Sequence, residues 1–226
     1  MEPRLRFLAV VTLVLTVAFT LLEPPEARGE TARPKIVAFG DSLTAGLGVS
    51  REQAYPAQLG KRLTEEGLDY TVVNAGVSGD TTAGGVRRVE WILKSRPKLV
   101  IVELGANDGL RGLSLTQTRE NLAMILQKLT DANVQVVLAG MKLPPNYGKE
   151  YTAGFEQLFP DLARQFQVPL IGFLLDGVAA RPKLNQADGI HPTEEGYRIV
   201  AETVYRTIRP LLKEPLEPAD RPNSES

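Results

Sequence analysis

The segment Leu99-Val100-Ile101-Val102-Glu103-Leu104 is aliphatic at every position except Glu103, and it is the most strand-like run in the chain. A strand that is apolar along its whole length, rather than at alternate positions, is typical of a parallel sheet that is buried on both faces. Runs of the same kind occur at residues 35–40, 70–75, 134–140 and 169–173. The sequence therefore predicts a parallel sheet of about five strands.

Segments with the apolar spacing of helices alternate with these strands, at residues 55–66, 82–94, 114–132, 151–166 and 194–212. Ser114, with Gln117 three residues later, has the pattern of a capping box, and Thr193 is the expected cap of the last helix. The alternation predicts one α/β domain with helices on both faces of the sheet. A chain of 226 residues is long enough to bury such a core.

Polar and glycine-rich segments follow the ends of the predicted strands, at residues 41–48, 76–82, 105–112 and 141–148. Ligands of open α/β sheets bind outside the carboxyl ends of the strands. We therefore expect the functional side chains of these segments to meet at one edge of the sheet.

The chain contains one histidine, His191, in Asp188-Gly189-Ile190-His191-Pro192. A mechanism that needs an imidazole near neutral pH must use this residue. Asp188 can fold back onto one ring nitrogen, and Ser42, in Gly40-Asp41-Ser42-Leu43, follows the first strand. Serine, histidine and aspartate in these contexts indicate acyl transfer. The alternative for Ser42 is a helix cap; a phosphate loop is disfavoured because neither glycine-rich phosphate motif is present.

Two further positions could supply hydrogen-bond donors to a developing oxyanion. Gly79, in the turn after the second strand, can direct its N–H toward a substrate, and the Asn107 amide can donate after the third strand. Each has a structural alternative. Gly79 could belong to a plain turn in which Thr81 or Thr82 caps the next helix, and Asn107 begins an Asn-Asp-Gly sequence that suits a turn.

The composition restricts the other classes of function. The net charge is -1, with 43% hydrophobic and 23% charged residues, which is ordinary for a soluble globular protein and gives no indication of nucleic-acid binding. The chain has no cysteine, so disulfides and thiolate nucleophiles are excluded. With a single histidine as well, the usual protein zinc sites are disfavoured, and we expect no metal site.

Both ends of the chain are predicted to lie outside the domain, which we place at residues 30–213. Arg4 and Arg6 precede an apolar run at residues 7–22, and a polar break follows, so residues 1–29 are interpreted as a signal peptide cleaved before Glu30. An uncleaved membrane anchor is the alternative. Residues 214–226 are rich in proline and predict a disordered tail. These features predict a periplasmic or secreted protein, whose membrane contact would be limited to the N-terminal segment.

The motifs together resemble those of the SGNH (GDSL) hydrolase superfamily. The matching elements are GDSL at 40–43, Gly79, G-x-N-D at 105–108 and D-x-x-H at 188–191. The segment 143–148, Phe155, Phe159 and the segment 188–192 are also similar to the secreted bacterial arylesterase, thioesterase I and lysophospholipase group. The resemblance covers roughly residues 35–212 and implies a flavodoxin-like, three-layer α/β/α fold.

The resemblance also implies a role for each matching residue. Ser42 would be the nucleophile, His191 the general base and then acid, and Asp188 the group that orients the imidazole. The N–H groups of Ser42 and Gly79, with the Asn107 side chain, would form the oxyanion hole. No metal or organic cofactor is implied, and the substrate would be a small acyl ester or thioester. Two further acids beside the site are interpreted as hydrogen-bonding partners that fix loops: Asp41 and Asp108.

The pocket is expected to accept medium or long acyl chains. Leu110 and Leu113 lie in a glycine-flanked loop after Asn107 and could cover an acyl chain, with Pro144 and Tyr147 on the opposite wall; alternatively, the leucines pack into the core. Two other functions stay open: a carbohydrate O-deacetylase, and a non-catalytic binding protein on the same scaffold. Aromatic stacking on a sugar is not evident, because the only tryptophan, Trp91, is expected on a buried helix.

Overall fold

The computed structural model describes residues 33–212, and a sheet of five parallel strands organises this range. The strands are β1 (Lys35–Gly40), β2 (Thr71–Gly76), β3 (Leu99–Glu103), β4 (Gln135–Ala139) and β5 (Leu170–Ile171), in the order β2-β1-β3-β4-β5. This order is that of flavodoxin-like folds. The predicted signal segment, residues 1–29, and the predicted tail, residues 214–226, lie outside the described residues.

The helices cover both faces of the sheet. They are α1 (Ser42–Ala45), α2 (Tyr55–Glu65), α3 (Thr82–Lys94), α4 (Ala106–Leu110), α5 (Leu115–Asp131), α6 (Lys149–Phe166) and α7 (Glu194–Ile208). Helix α2 packs on α7, whereas α5 packs on both α3 and α6. All five residues of β3 are buried, as its continuous apolar sequence predicts. The predicted three-layer α/β/α fold is confirmed.

The helix caps agree with the sequence analysis, with one difference. The Thr193 side chain accepts a hydrogen bond from the Gly196 N–H at 3.3 Å and begins α7. Ser114 accepts from the Gln117 N–H at 3.4 Å. The Gln117 side chain, however, bonds Glu120 and Asn121 rather than returning to the cap, so only half of the predicted capping box forms.

Two predicted elements are shorter in the structure by three residues or more. Strand β5 contains two residues instead of residues 169–173, because the chain turns away from the sheet at Gly172. Helix α7 ends at Ile208 instead of continuing to 212. A short 3₁₀ helix, Arg209–Leu211, follows it, since Pro210 has no N–H to extend the α-helical ladder.

The expectation for Trp91 was wrong, since the residue is 62% exposed. Helix α3 buries Val89 and Ile92, and Trp91 lies on the opposite side of the helix. It is also nine residues beyond Thr82, which is about 13 Å along the axis. Its ring therefore offers no platform beside the residues that follow the strand ends. Within residues 33–212, no helix has the length and apolarity needed to cross a bilayer.

Candidate active site

The residue Ser42 opens α1 directly after β1. Asp41 caps this four-residue helix, because its Oδ1 accepts a hydrogen bond from the Leu43 N–H at 3.0 Å. The cap is thus Asp41, and the interpretation of Ser42 as a mere helix cap was wrong. The Ser42 hydroxyl is left available at the carboxyl end of the strand.

Ser42, His191 and Asp188 form one hydrogen-bonded line. His191 Nε2 lies 2.9 Å from Ser42 Oγ, and His191 Nδ1 lies 2.6 Å from Asp188 Oδ2. Asp188 Oδ1 also accepts the N–H groups of Ile190 and His191, each at 3.0 Å. Desolvation acts to raise the pKa of Asp188, but these hydrogen bonds outweigh it and lower the pKa to about 2. The carboxylate is therefore ionised and faces the imidazole.

A residue that the sequence analysis missed holds the histidine loop in place. The Gln186 side-chain N–H group donates to the carbonyls of Leu47 at 2.7 Å and of Pro192 at 2.9 Å. The Gln186 backbone N–H donates to the His191 carbonyl at 2.7 Å. Gln186 thus links the loop that carries His191 to the segment that follows Ser42. No motif marked it, because one glutamine in a loop gives no signal of its own.

The two predicted oxyanion donors differ in their placement. Asn107, in α4, lines the same cavity as Ser42 and His191, and its Nδ2 donates to Asp41 Oδ2 at 3.0 Å. Gly79, with φ of +78°, lies in the turn after β2, and its carbonyl accepts from Arg111 at 2.9 Å. Gly79 is not among the residues that line the cavity. The structure thus brings Asn107 together with the Ser42–His191 pair in one cavity, whereas the cavity lining does not include Gly79.

The two neighbouring acids fix loops, as predicted. Asp41 receives the Leu43 N–H and the Asn107 amide, and so joins α1 to α4. Asp108 accepts from the N–H of Thr82 at 2.8 Å and from its hydroxyl at 2.6 Å, which anchors α4 to the start of α3. Thr81 rather than Thr82 caps α3. Both acids are buried, and both carboxylate oxygens of each accept the hydrogen bonds described here.

A third buried carboxyl group, that of Glu103, lies beneath α1. Glu103, at the end of β3, has no exposed surface, and its Oε2 accepts from the Asp41 N–H at 3.1 Å. Burial raises the pKa of Asp41, and burial together with the Asp41 charge raises the pKa of Glu103 well above its usual value. The sequence analysis read Glu103 as a strand residue only, because its partner is 62 positions away.

A largely apolar cavity of about 500 Å³ opens from Ser42 and His191. Of the predicted wall residues, Leu110 and Pro144 line it, whereas Leu113 and Tyr147 do not. Leu113 is instead 42% exposed. The Tyr147 hydroxyl donates a hydrogen bond to the carbonyl of the wall residue Leu110 at 2.9 Å, so Tyr147 contacts the wall without lining the cavity. The alternative that both leucines pack into the core was wrong. Several further apolar wall residues were not predicted: Met141, Leu143, Phe173, Leu175 and Ile190.

Within residues 33–212, no three histidine, cysteine, aspartate or glutamate side chains are grouped so that they could hold an ion.

Comparison with known proteins identifies relatives that cover most of the chain. The GDSL-like Lipase/Acylhydrolase family matches residues 38–199. Esterase TesA of Pseudomonas aeruginosa is 43% identical over 184 residues, which is 81% of this chain and 92% of the relative. Thioesterase 1/protease 1/lysophospholipase L1 of Escherichia coli is 39% identical over 182 residues, or 80% and 86% of the two chains. The crystal structure of TesA superposes with a TM-score of 0.76 and 44% identity, covering 79% of this chain and 99% of that one.

Proposed function

Because the chain belongs to the GDSL-like lipase/acylhydrolase family, whose relatives here are esterases and thioesterases, we propose that this ester-bond hydrolase works through an acyl-enzyme on Ser42. The line Asp188–His191–Ser42 is the observation that carries the proposal. With Nδ1–H donated to Asp188, the free Nε2 is the acceptor for the Ser42 proton. The substrates are carboxylic esters and thioesters.

The proposed cycle has two acyl transfers. His191 takes the proton from Ser42 Oγ as this atom attacks the substrate carbonyl, and the Asp188 carboxylate stabilises the imidazolium. The tetrahedral intermediate then collapses, and His191 gives this proton to the oxygen atom of a leaving alkoxide or to the sulfur atom of a leaving thiolate. Water then attacks the acyl carbon while His191 takes its proton. The second tetrahedral intermediate collapses by breaking the bond to Ser42 Oγ, and His191 returns the proton to Oγ, which releases the acid and restores the Ser42 hydroxyl.

The charge on the substrate oxygen is proposed to be stabilised by Asn107 and by backbone N–H groups of Ser42 and Gly79. The Asn107 amide has two N–H bonds, and Asp41 takes one of them. The other is left for the oxyanion. The Ser42 N–H lies in the first turn of α1, where a helix has no partner of its own for its N–H groups.

The acyl chain is proposed to occupy the apolar cavity, with Leu110 and Pro144 in its walls. Its volume of about 500 Å³ exceeds what one acetyl group needs, which favours medium or long chains over the deacetylase alternative. The intact hydrogen-bonded line from Asp188 to Ser42 favours catalysis over a binding protein. We place the protein in the periplasm or outside the cell, after removal of residues 1–29.

A chain-length series tests the proposed substrate class. We expect kcat/KM for p-nitrophenyl esters and for acyl-CoA thioesters to rise from acetyl to medium chains, since each added methylene buried in the cavity contributes about 0.8 kcal/mol. Ser42→Ala is the control and should lose about 10⁶ in turnover while keeping the fold. Highest activity on acetyl esters would favour the deacetylase. Undiminished activity in Ser42→Ala would contradict the acyl-enzyme.

A further inference from the structure

Arg88 of α3 is a partly buried cation that the proposed cycle does not use. Its guanidinium lies at the carboxyl ends of two strands, where it donates to the Gly40 carbonyl of β1 at 3.1 Å and to the Ala75 carbonyl of β2 at 2.9 Å. It also donates twice to Asp80 Oδ2, from Nε at 2.8 Å and from Nη2 at 2.6 Å. These bonds use four of the five N–H groups of an arginine. Arg88 thus fixes two strand ends and one carboxylate relative to one another.

The surroundings of Arg88 and Asp80 shield this contact from solvent. The two side chains are 23% and 11% exposed, and the guanidinium carbon lies 4.8 Å from the ring centroid of Phe39, which is buried. A Cβ on Gly84, in the first turn of α3, would lie 1.6 Å from Asp80 Oδ1, so this glycine leaves the space that the carboxylate occupies. Shielded, charge-assisted hydrogen bonds are stronger than those of exposed ion pairs. The contact is therefore a firm anchor for Asp80.

The residue Asp80 ends the four-residue turn that carries Gly79. The Asp80 N–H donates to the Val77 carbonyl at 3.0 Å, and Gly79, at the third position, has a φ of +78°. The φ of Ser78, at the second position, is not positive, which identifies a type II turn. Types I and II differ by roughly half a rotation of the peptide between the second and third residues. The turn type therefore decides in which direction the Gly79 N–H points.

The tip of this turn depends on hydrogen bonds for its conformation. Residues 77–79 are exposed, so burial contributes little to holding their backbone. The N–H of the first turn residue donates at 3.0 Å to the Gly40 carbonyl, the same oxygen that Arg88 binds. Arg111 binds the carbonyl of the third turn residue at 2.9 Å, but it is exposed. Because Ser42 follows Gly40 by two positions, the oxygen shared with Arg88 relates the turn to the proposed nucleophile.

We propose that Arg88 is a positioning residue for the oxyanion hole: through Asp80 and the Gly40 carbonyl it keeps residues 77–80 in the type II turn that directs the Gly79 N–H toward the substrate oxygen. Within residues 33–212, this N–H donates to no protein acceptor, so it is free for the oxyanion. Arg88 does not line the cavity and acts through the backbone of the turn. The inference rests on the proposed function, because it assumes that the Gly79 N–H donates to the oxyanion.

Substitutions of Arg88 and of its exposed neighbour Arg87 test this role. Arg88→Ala removes all four hydrogen bonds, and we expect kcat to fall about tenfold to a hundredfold at nearly unchanged KM, less than the 10²–10³ typical of removing a direct oxyanion donor. Arg88→Lys keeps the charge but lacks the planar fork that reaches several acceptors at once, so most of the loss should remain. Arg87→Ala, on the same helix, is the matched control and should leave kcat and KM unchanged.

Two readouts separate positioning from an effect on stability alone. Affinity of folded Arg88→Ala for an alkylboronic acid, which forms a tetrahedral adduct on the serine, should fall by the same factor as kcat, because both depend on the oxyanion donors. The pH profile of kcat/KM should keep its midpoint while its plateau falls, since Arg88 contacts neither His191 nor Asp188. If Arg88→Ala does not fold, the same two measurements on Arg88→Lys decide the question.

A double-mutant cycle tests the route through Asp80. Asp80→Ala should lower kcat and boronic-acid affinity as Arg88→Ala does. The double variant should lose less than the product of the two single losses, because residues that act as one unit are not additive.

Four results would overturn the proposal. They are wild-type kcat in a folded Arg88 variant, a lower kcat with unchanged boronic-acid affinity, a shifted midpoint of the pH profile, and losses in the cycle that multiply fully. A failure of the proposed function would be seen instead in the wild type, as a lack of esterase activity or as activity that survives Ser42→Ala. The two failures are therefore distinguishable.

Discussion

At the scale of the residue, substitution of Asn107 can separate a catalytic role of its side chain from a purely structural one. Its amide lines the cavity and also joins α4 to Asp41. Asn107→Ala should lower kcat by about 10²–10³ with little change in KM, because an oxyanion donor acts where charge develops rather than on the neutral carbonyl. Steady-state kinetics and thermal melting check this together. A variant that melts several degrees lower but keeps its turnover would show that Asn107 only maintains the turn.

At the scale of the element, the loop that carries Asp188 and His191 depends on Gln186 for its attachment to the segment after α1. Gln186→Ala removes two hydrogen bonds, worth about 1 kcal/mol each. We expect kcat/KM to fall about tenfold, since small displacements of a catalytic group are costly, while the melting temperature falls only slightly. Gln127→Ala, which removes one hydrogen bond on the surface of α5, is the control. Equal effects of the two changes on kcat/KM would contradict the positioning role of Gln186.

At the scale of the whole molecule, we expect residues 1–29 to be cleaved from the domain during export. The short apolar run after Arg4 and Arg6 motivates this expectation. Mass spectrometry of protein from the periplasmic and extracellular fractions should find a mature chain that starts at Glu30. Recovery of intact Met1 from the membrane fraction would instead support the uncleaved anchor. Replacing Arg4 and Arg6 by glutamate should reduce export and serves as the internal control.

Local patterns account for most of the fold and for the central line of the site. Apolar runs located all five strands, and the single histidine beside Asp188 pointed to His191 before any contact was known. The features of the site that could not be predicted from the sequence depend on contacts between residues distant in the chain. Glu103 within an aliphatic run is indistinguishable from an ordinary strand residue until Gly40 and α1 lie beside it. Likewise, Leu110 rather than Leu113 lines the cavity because of where the four residues between α4 and α5 turn, and periodicity does not determine that.

The distance along the chain between Ser42 and His191 has a consequence for folding. The two side chains that meet at 2.9 Å are 149 residues apart, and every strand after β1 lies between them. Closing so long a loop is entropically unfavourable until the intervening elements have packed, and parallel sheets of such high contact order fold slowly. A nascent or partly folded chain thus holds Ser42 without His191 beside it. Under the proposed mechanism, hydrolysis of an ester therefore requires that both ends of this long loop have docked.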